Sequence, residues 1–124
     1  MKLLLICLAG TAGTLLRYTC VSVMNRTSLP FPTGTLAVNT VGAFLAGFLF
    51  ILCKERFAEY QEYFPVLFIG FLGAFTTFST YTLDSMKLLL AGNSGMFCLN
   101  ILLQNGLGLL AAFGGIRLAE SLMS

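Results

Sequence analysis

The sequence contains no histidine and only five acidic residues. The first absence removes the commonest general base, metal ligand and pH switch together. The second leaves no pair of carboxylates suited to acid–base work, and no catalysis is expected. Charge of either sign is scarce: 10% of residues are charged, with a net of +2, against about 25% in an ordinary soluble domain. No basic run exists to track phosphates, which excludes nucleic acid as a partner. Cys7, Cys20, Cys53 and Cys98 stand far apart without a CxxC pair, so neither a zinc site nor a redox motif is suggested. They read as small buried hydrophobes.

What is present is apolar. Hydrophobic residues make up 57% of the chain, and the mean hydropathy is +0.90. A chain of 124 residues has a high ratio of surface to volume and would need far more polar residues to cover it in water. Its outer surface must therefore face lipid. Crossing the hydrocarbon core takes about 20 apolar residues, and four segments qualify: 3–24, 33–53, 64–90 and 95–118. They predict an all-α integral membrane protein with a single four-helix transmembrane domain over 1–124. The connections are short. Asn25 to Pro30 carries polar residues and proline, Lys54 to Tyr63 holds most of the charge, and Ala91 to Ser94 contains a Gly-Asn turn signal. Met1-Lys2 and the apolar run behind it have the form of a signal peptide. Ala9, Gly10, Ala12 and Gly13 inside the run, and the unbroken continuation to Arg17-Tyr18, favour a retained first span.

Four spans place both termini on one side, together with Lys2, Lys54, Arg56 and Arg117; Arg17, Arg26 and Lys87 lie opposite. That difference of a single charge is a feeble positive-inside bias. It permits insertion in both orientations, and opposite orientations permit an antiparallel two-fold dimer. Small residues four apart recur in every span, at Ala9 and Gly13, Ala43 and Gly47, Gly70 and Ala74, and Gly108 and Ala112. In lipid, helices associate where small residues let backbones approach closely, so tight packing is expected.

Polar residues inside spans face a neighbour or a cavity, because lipid cannot satisfy them. In the second span Thr35 and Asn39 lie one turn apart on a face continued by Gly42, Ala43 and Gly47. Asn39 offers an amide donor suited to an anion, or an interhelical hydrogen bond. In the third span Gly70 and Gly73 precede Thr76, Thr77, Ser79, Thr80 and Thr82. Glycine costs about 1 kcal/mol against alanine in a helix, and Ser and Thr compete for backbone groups. A break is expected near Gly73 to Thr77, and such backbone persists at membrane depth only when protein, water or an ion satisfies it. Phe75, Phe78 and Tyr81 recur among the hydroxyls at intervals of three. Their ring edges are electropositive and can attract an anion without formal charge. Asn100 and Gln104 share a face of the fourth span, and Asn105 follows; they complete a passage or tie helices together. Arg17 makes one entrance electropositive, and Asp84 neutralises Arg17 or Lys87.

The strings Gly13-Thr-Leu-Leu-Arg17-Tyr18, Gly34-Thr35-Leu-Ala-Val-Asn39-Thr-Val-Gly42 and Gly70-Phe-Leu-Gly73-Ala-Phe-Thr76-Thr77-Phe78-Ser79-Thr80-Tyr81 resemble the Fluc (CrcB) family of fluoride channels. The resemblance covers nearly the whole chain and is most specific in the third span. It implies a passive fluoride-selective channel that lowers cytosolic fluoride and confers fluoride resistance from a bacterial inner membrane. It also implies a dual-topology antiparallel homodimer with two pores, each lined by both subunits. By the same resemblance a structural sodium ion sits at the dimer centre, held by main-chain carbonyls of Gly73 and Thr76. The family's pore asparagine falls on Asn39, its two pore phenylalanines on Phe78 and Tyr81, and its polar track on Ser79 and Thr80. Tyr81 departs from the usual phenylalanine and adds a hydroxyl. A small proton-coupled multidrug-type exporter would instead need a membrane-embedded carboxylate, for which only Asp84, near a span end, is available; a non-transporting assembly subunit would need none of these polar residues together.

Overall fold

Four stretches of the chain wind into helices long and apolar enough to cross a membrane. In the computed structural model, which describes residues 1–26 and 29–124, these are α1 (Lys2–Met24), α2 (Thr33–Arg56), a third span over Val66–Leu90, and α5 (Ser94–Met123). The third span divides into α3, made of the π-wound Val66–Leu72 and the continuing turn Gly73–Phe75, and α4 (Phe78–Leu90). A short 3-10 segment, Ala58–Tyr63, precedes it. No strand occurs among the described residues. The middle of the first predicted connection, residues 27–28, lies outside the described residues.

Local sequence sets the ends. Pro32 stands at the N-cap of α2 and Pro65 at that of α3; each lacks an N–H that the first turn could not have used. Gly92, at φ +80, turns the chain between α4 and α5, a left-handed conformation that glycine adopts without cost. α2 runs on to Arg56, past Cys53, because Lys54 and Arg56 in its last turn suit the negative end of the helix dipole. α5 likewise runs past Leu118 to Met123. Its thirty residues span about 45 Å, more than a hydrocarbon core of roughly 30 Å. In the extra turns Ala119 is buried, and an exposed Arg117–Glu120 ion pair at 3.2 Å lies beside it.

The helices pack as two tightly apposed pairs, α1 with α3 and α2 with α5; Gly13, Gly70 and Gly47 lie at these seams, whereas a Cβ added at Gly108 would meet nothing within 4 Å. A Cβ added to Gly13 would strike the Phe71 carbonyl, and one on Gly70 would come within 2.9 Å of the Ile6 carbonyl. A Cβ on Gly47 would meet the Ala112 backbone. This backbone approach is what holds helices together where lipid removes the hydrophobic drive.

Burial differs from that of a soluble domain. Leu3, Ile69, Leu102, Leu109 and Leu110 are exposed, whereas Thr35 and Asn100 are among the most enclosed side chains. Large apolar side chains cover much of the outside, and these polar groups are enclosed together with Val38, Leu72, Phe75 and Leu88. Asn100 and Gln104, predicted to share a face, both turn inward on α5.

Candidate functional site: a polar cleft in the third span

The site begins with a local departure from helix. Thr76 (φ −87, ψ 161) and Thr77 (φ −150, ψ 117) are extended. Extended backbone inside an apolar bundle leaves amides and carbonyls that something must satisfy. Asn39 of α2 does so. Its Oδ1 accepts from the Thr77 amide at 2.8 Å, and its Nδ2 donates to the Thr77 carbonyl at 3.0 Å. The side-chain amide thus pairs with Thr77 as a neighbouring strand would. Asn39 Nδ2 also donates to Gln104 Oε1 on α5 at 3.0 Å. The Thr77 hydroxyl then caps α4, accepting from the Thr80 amide at 3.3 Å and donating to the Thr80 hydroxyl at 3.0 Å.

The diversion frees two carbonyls. The Thr77 amide, the usual helical donor to Gly73, goes to Asn39, and the Thr80 amide, the usual donor to Thr76, goes to the Thr77 hydroxyl. The Thr76 carbonyl instead accepts from Arg17 Nη1 at 3.3 Å. Among the described residues no group of three or more His, Cys, Asp or Glu side chains converges, so a cation here would rely on neutral oxygens. Two carbonyls released from helical bonding are suited to a hard cation such as sodium.

Asn39, Gly73, Thr76 and Phe78 line one cavity of about 440 Å³, and Tyr81, Gln104 and Asn105 close its other wall. Phe78 and Tyr81 stand edge to face, with centroids 5.6 Å apart and planes at 69°. Tyr81 Oη accepts from Asn105 Nδ2 at 3.3 Å, and the same nitrogen donates to the Ile101 carbonyl at 2.8 Å. Ser79 and Thr80 are exposed on α4 and do not line this cavity. Five of the predicted site residues therefore meet in one place, and Ser79, Thr80 and Arg17 do not line it.

A second polar cluster lies beside it. Thr35 donates to Asp84 Oδ2 at 2.9 Å, and Lys87 stands 3.8 Å from Asp84 Oδ1. Of the two partners considered for Asp84, Lys87 is the one it meets; Arg17 turns instead to the Thr76 carbonyl. Asn100 donates to the Ser85 hydroxyl at 2.9 Å, which donates to the Tyr81 carbonyl at 2.8 Å. These bonds tie α5 to α4 just behind the aromatic pair. The spacing of Asn100, Gln104 and Asn105 put polar groups on the fourth span, but which helix each would reach was not readable from one sequence.

Two comparisons bear on the chain as a whole. Residues 4–116 match the family described as CrcB-like protein, Camphor Resistance (CrcB). A protein of Desulforapulum autotrophicum is 42% identical over 120 residues, 96% of each chain. One of Parabacteroides distasonis is 39% identical over 125 residues, covering 99% of this chain and 96% of the relative. One of Legionella pneumophila is 38% identical over 118 residues, covering 94% and 88%. Each of the three is named fluoride-specific ion channel FluC.

Proposed function

We propose that this chain, which belongs to the CrcB-like family, is a passive, fluoride-selective channel of a multi-pass membrane protein; in a bacterium it would release cytosolic fluoride across the inner membrane. The observation that carries the reading is the cleft itself. Neutral amides, a hydroxyl and two aromatic rings converge around extended backbone at membrane depth, and none of the described residues lining the cleft is Lys or Arg. Fluoride is small and strongly hydrated, and it accepts hydrogen bonds readily. Removing its water requires replacement donors, yet a deep electrostatic trap would hold the ion instead of passing it. Neutral donors and ring edges meet both demands.

Several finer features belong to the same proposal. The extended Thr76–Thr77 segment acts as the break of the third span, and two copies in opposite orientation form an antiparallel homodimer. Phe78 is 76% exposed in the single chain, and Ser79 and Thr80 lie beside it on the open side of α4. A partner copy covering that side would turn the open cleft into a closed passage and make the exposed hydroxyls a polar track. Gly73 and Thr76 of each copy would hold a sodium ion through their carbonyls, the Thr76 oxygen being shared with Arg17, and the ion would supply a fixed positive charge beside the passage. Arg17, donating to the Thr76 carbonyl, fixes that carbonyl from the side of α1 and contributes positive charge. A proton-coupled exporter has no support here, since Asp84 is already engaged by Thr35 and Lys87.

The experiment is an efflux assay. Purified protein in fluoride-loaded liposomes, with a potassium ionophore added, should release fluoride rapidly and without a proton gradient. Release only when a proton gradient is imposed, or none, would defeat the proposal.

A further inference from the structure

Asn39 has no donor left for an ion. Its two amide hydrogens go to the Thr77 carbonyl and to Gln104 Oε1, and its oxygen is taken by the Thr77 amide. The unspent donor lies one residue further along this chain of bonds. Gln104 is 9% exposed, and its Nε2 is buried without a hydrogen-bond partner among the described residues. A buried N–H pair left unmade is disfavoured unless an acceptor arrives. Tyr81 presents a similar case on the same cleft. Its oxygen accepts from Asn105, and no acceptor among the described residues takes its hydroxyl proton. A phenol whose oxygen accepts a bond is left with its O–H to donate.

We propose that the donors that meet the anion in this chain are Gln104 Nε2 and the Tyr81 hydroxyl, both on the wall shared by α4 and α5, and that Asn39 and Asn105 are positioning residues. Asn39 holds the Gln104 amide by its oxygen, which leaves the buried nitrogen as the unspent end. Asn105, anchored to the Ile101 carbonyl, donates to the Tyr81 oxygen and leaves its proton unspent. The ligand class is a small, hard monovalent anion that accepts from N–H and O–H together, which in this protein is fluoride. The inference rests on the channel reading above and adds to it which atoms touch the ion.

Gln104→Glu tests it, because the change keeps the oxygen that accepts from Asn39 and replaces the free donor by a titratable oxygen. As a carboxylate, Glu repels an anion; protonated, it regains one donor. Fluoride efflux from liposomes would be compared between about pH 8.5 and about pH 5.5, with protein-free vesicles to subtract leakage of hydrogen fluoride. The expected result is a loss of about 100-fold at the higher pH and recovery to within about threefold of wild type at the lower. A merely structural role for Gln104 would not produce that recovery. Gln104→Met, which lacks any donor, should lose roughly tenfold or more at both pH values and carries the test if the Glu variant fails to assemble. Wild-type rates in either assembled variant across the whole pH range would overturn the proposal. Absence of efflux from wild type would overturn the channel reading instead, so the two failures are distinguishable.

Discussion

Phe78→Ile should reduce fluoride efflux by about 100-fold or more, a change of at least about 2.7 kcal/mol in the barrier, while leaving the amount of assembled protein unchanged. The two halves of that expectation come from different features. Phe78 lines the cleft and meets Tyr81 edge to face at 5.6 Å, so its ring is placed where an ion would pass. Isoleucine keeps apolar bulk and removes the electropositive rim that the ring offers. Because Phe78 is 76% exposed within the chain, the substitution removes little packing inside the protomer, and its thermal unfolding should stay close to that of wild type. Efflux and thermal unfolding measured on the same preparation separate the two effects. Undiminished efflux would mean that the rings pack and do not conduct.

Gly115→Val should have the opposite signature: loss of the folded protein before any question of transport arises. A Cβ at position 115 would strike the Phe44 carbonyl and lie 2.8 Å from the Phe48 amide. Both are backbone atoms of α2, which cannot move aside as a side chain can. Forcing the α2–α5 seam apart removes the close contact on which helix association in lipid depends, at an expected cost of about 3 kcal/mol or more. The readout is a lowered unfolding temperature or an aggregated profile by size exclusion. Gly106→Ala is the control, because a Cβ there meets nothing within 4 Å. A Gly115→Val protein as stable as the Gly106→Ala protein would show that the seam tolerates separation.

The four spans were legible because their signal is bulk composition, which needs no knowledge of partners. The seams were legible for a related reason: Gly13, Gly47 and Gly70 each stand four residues from another small residue in their span, and only small residues allow such approach. Helix ends were less so. α5 continues past Leu118 through an Arg117–Glu120 pair, where apolar counting stops but helix does not. The polar wiring was the least legible part. Asn39 reads equally as an ion donor or as a helix tie, and only the position of Thr77 shows that its three hydrogen-bonding groups are taken. Gln104 and Asn105 are adjacent in sequence yet reach different helices, one toward α2 and the other toward α4. That choice depends on helix rotation, which a sequence pattern with polar residues on more than one face does not fix. Arg17 likewise looked like charge at an entrance, but its guanidinium meets a backbone carbonyl exposed only once Thr76 is extended.

The central claim is that neutral donors and ring edges around extended backbone pass a bare fluoride ion and refuse larger halides. The most direct measurement is the reversal potential across a planar bilayer with fluoride on one side and chloride on the other. Selectivity of this kind predicts a potential close to the fluoride equilibrium value that does not move when the proton gradient is changed. A potential near zero, or one that follows chloride or protons, would contradict it.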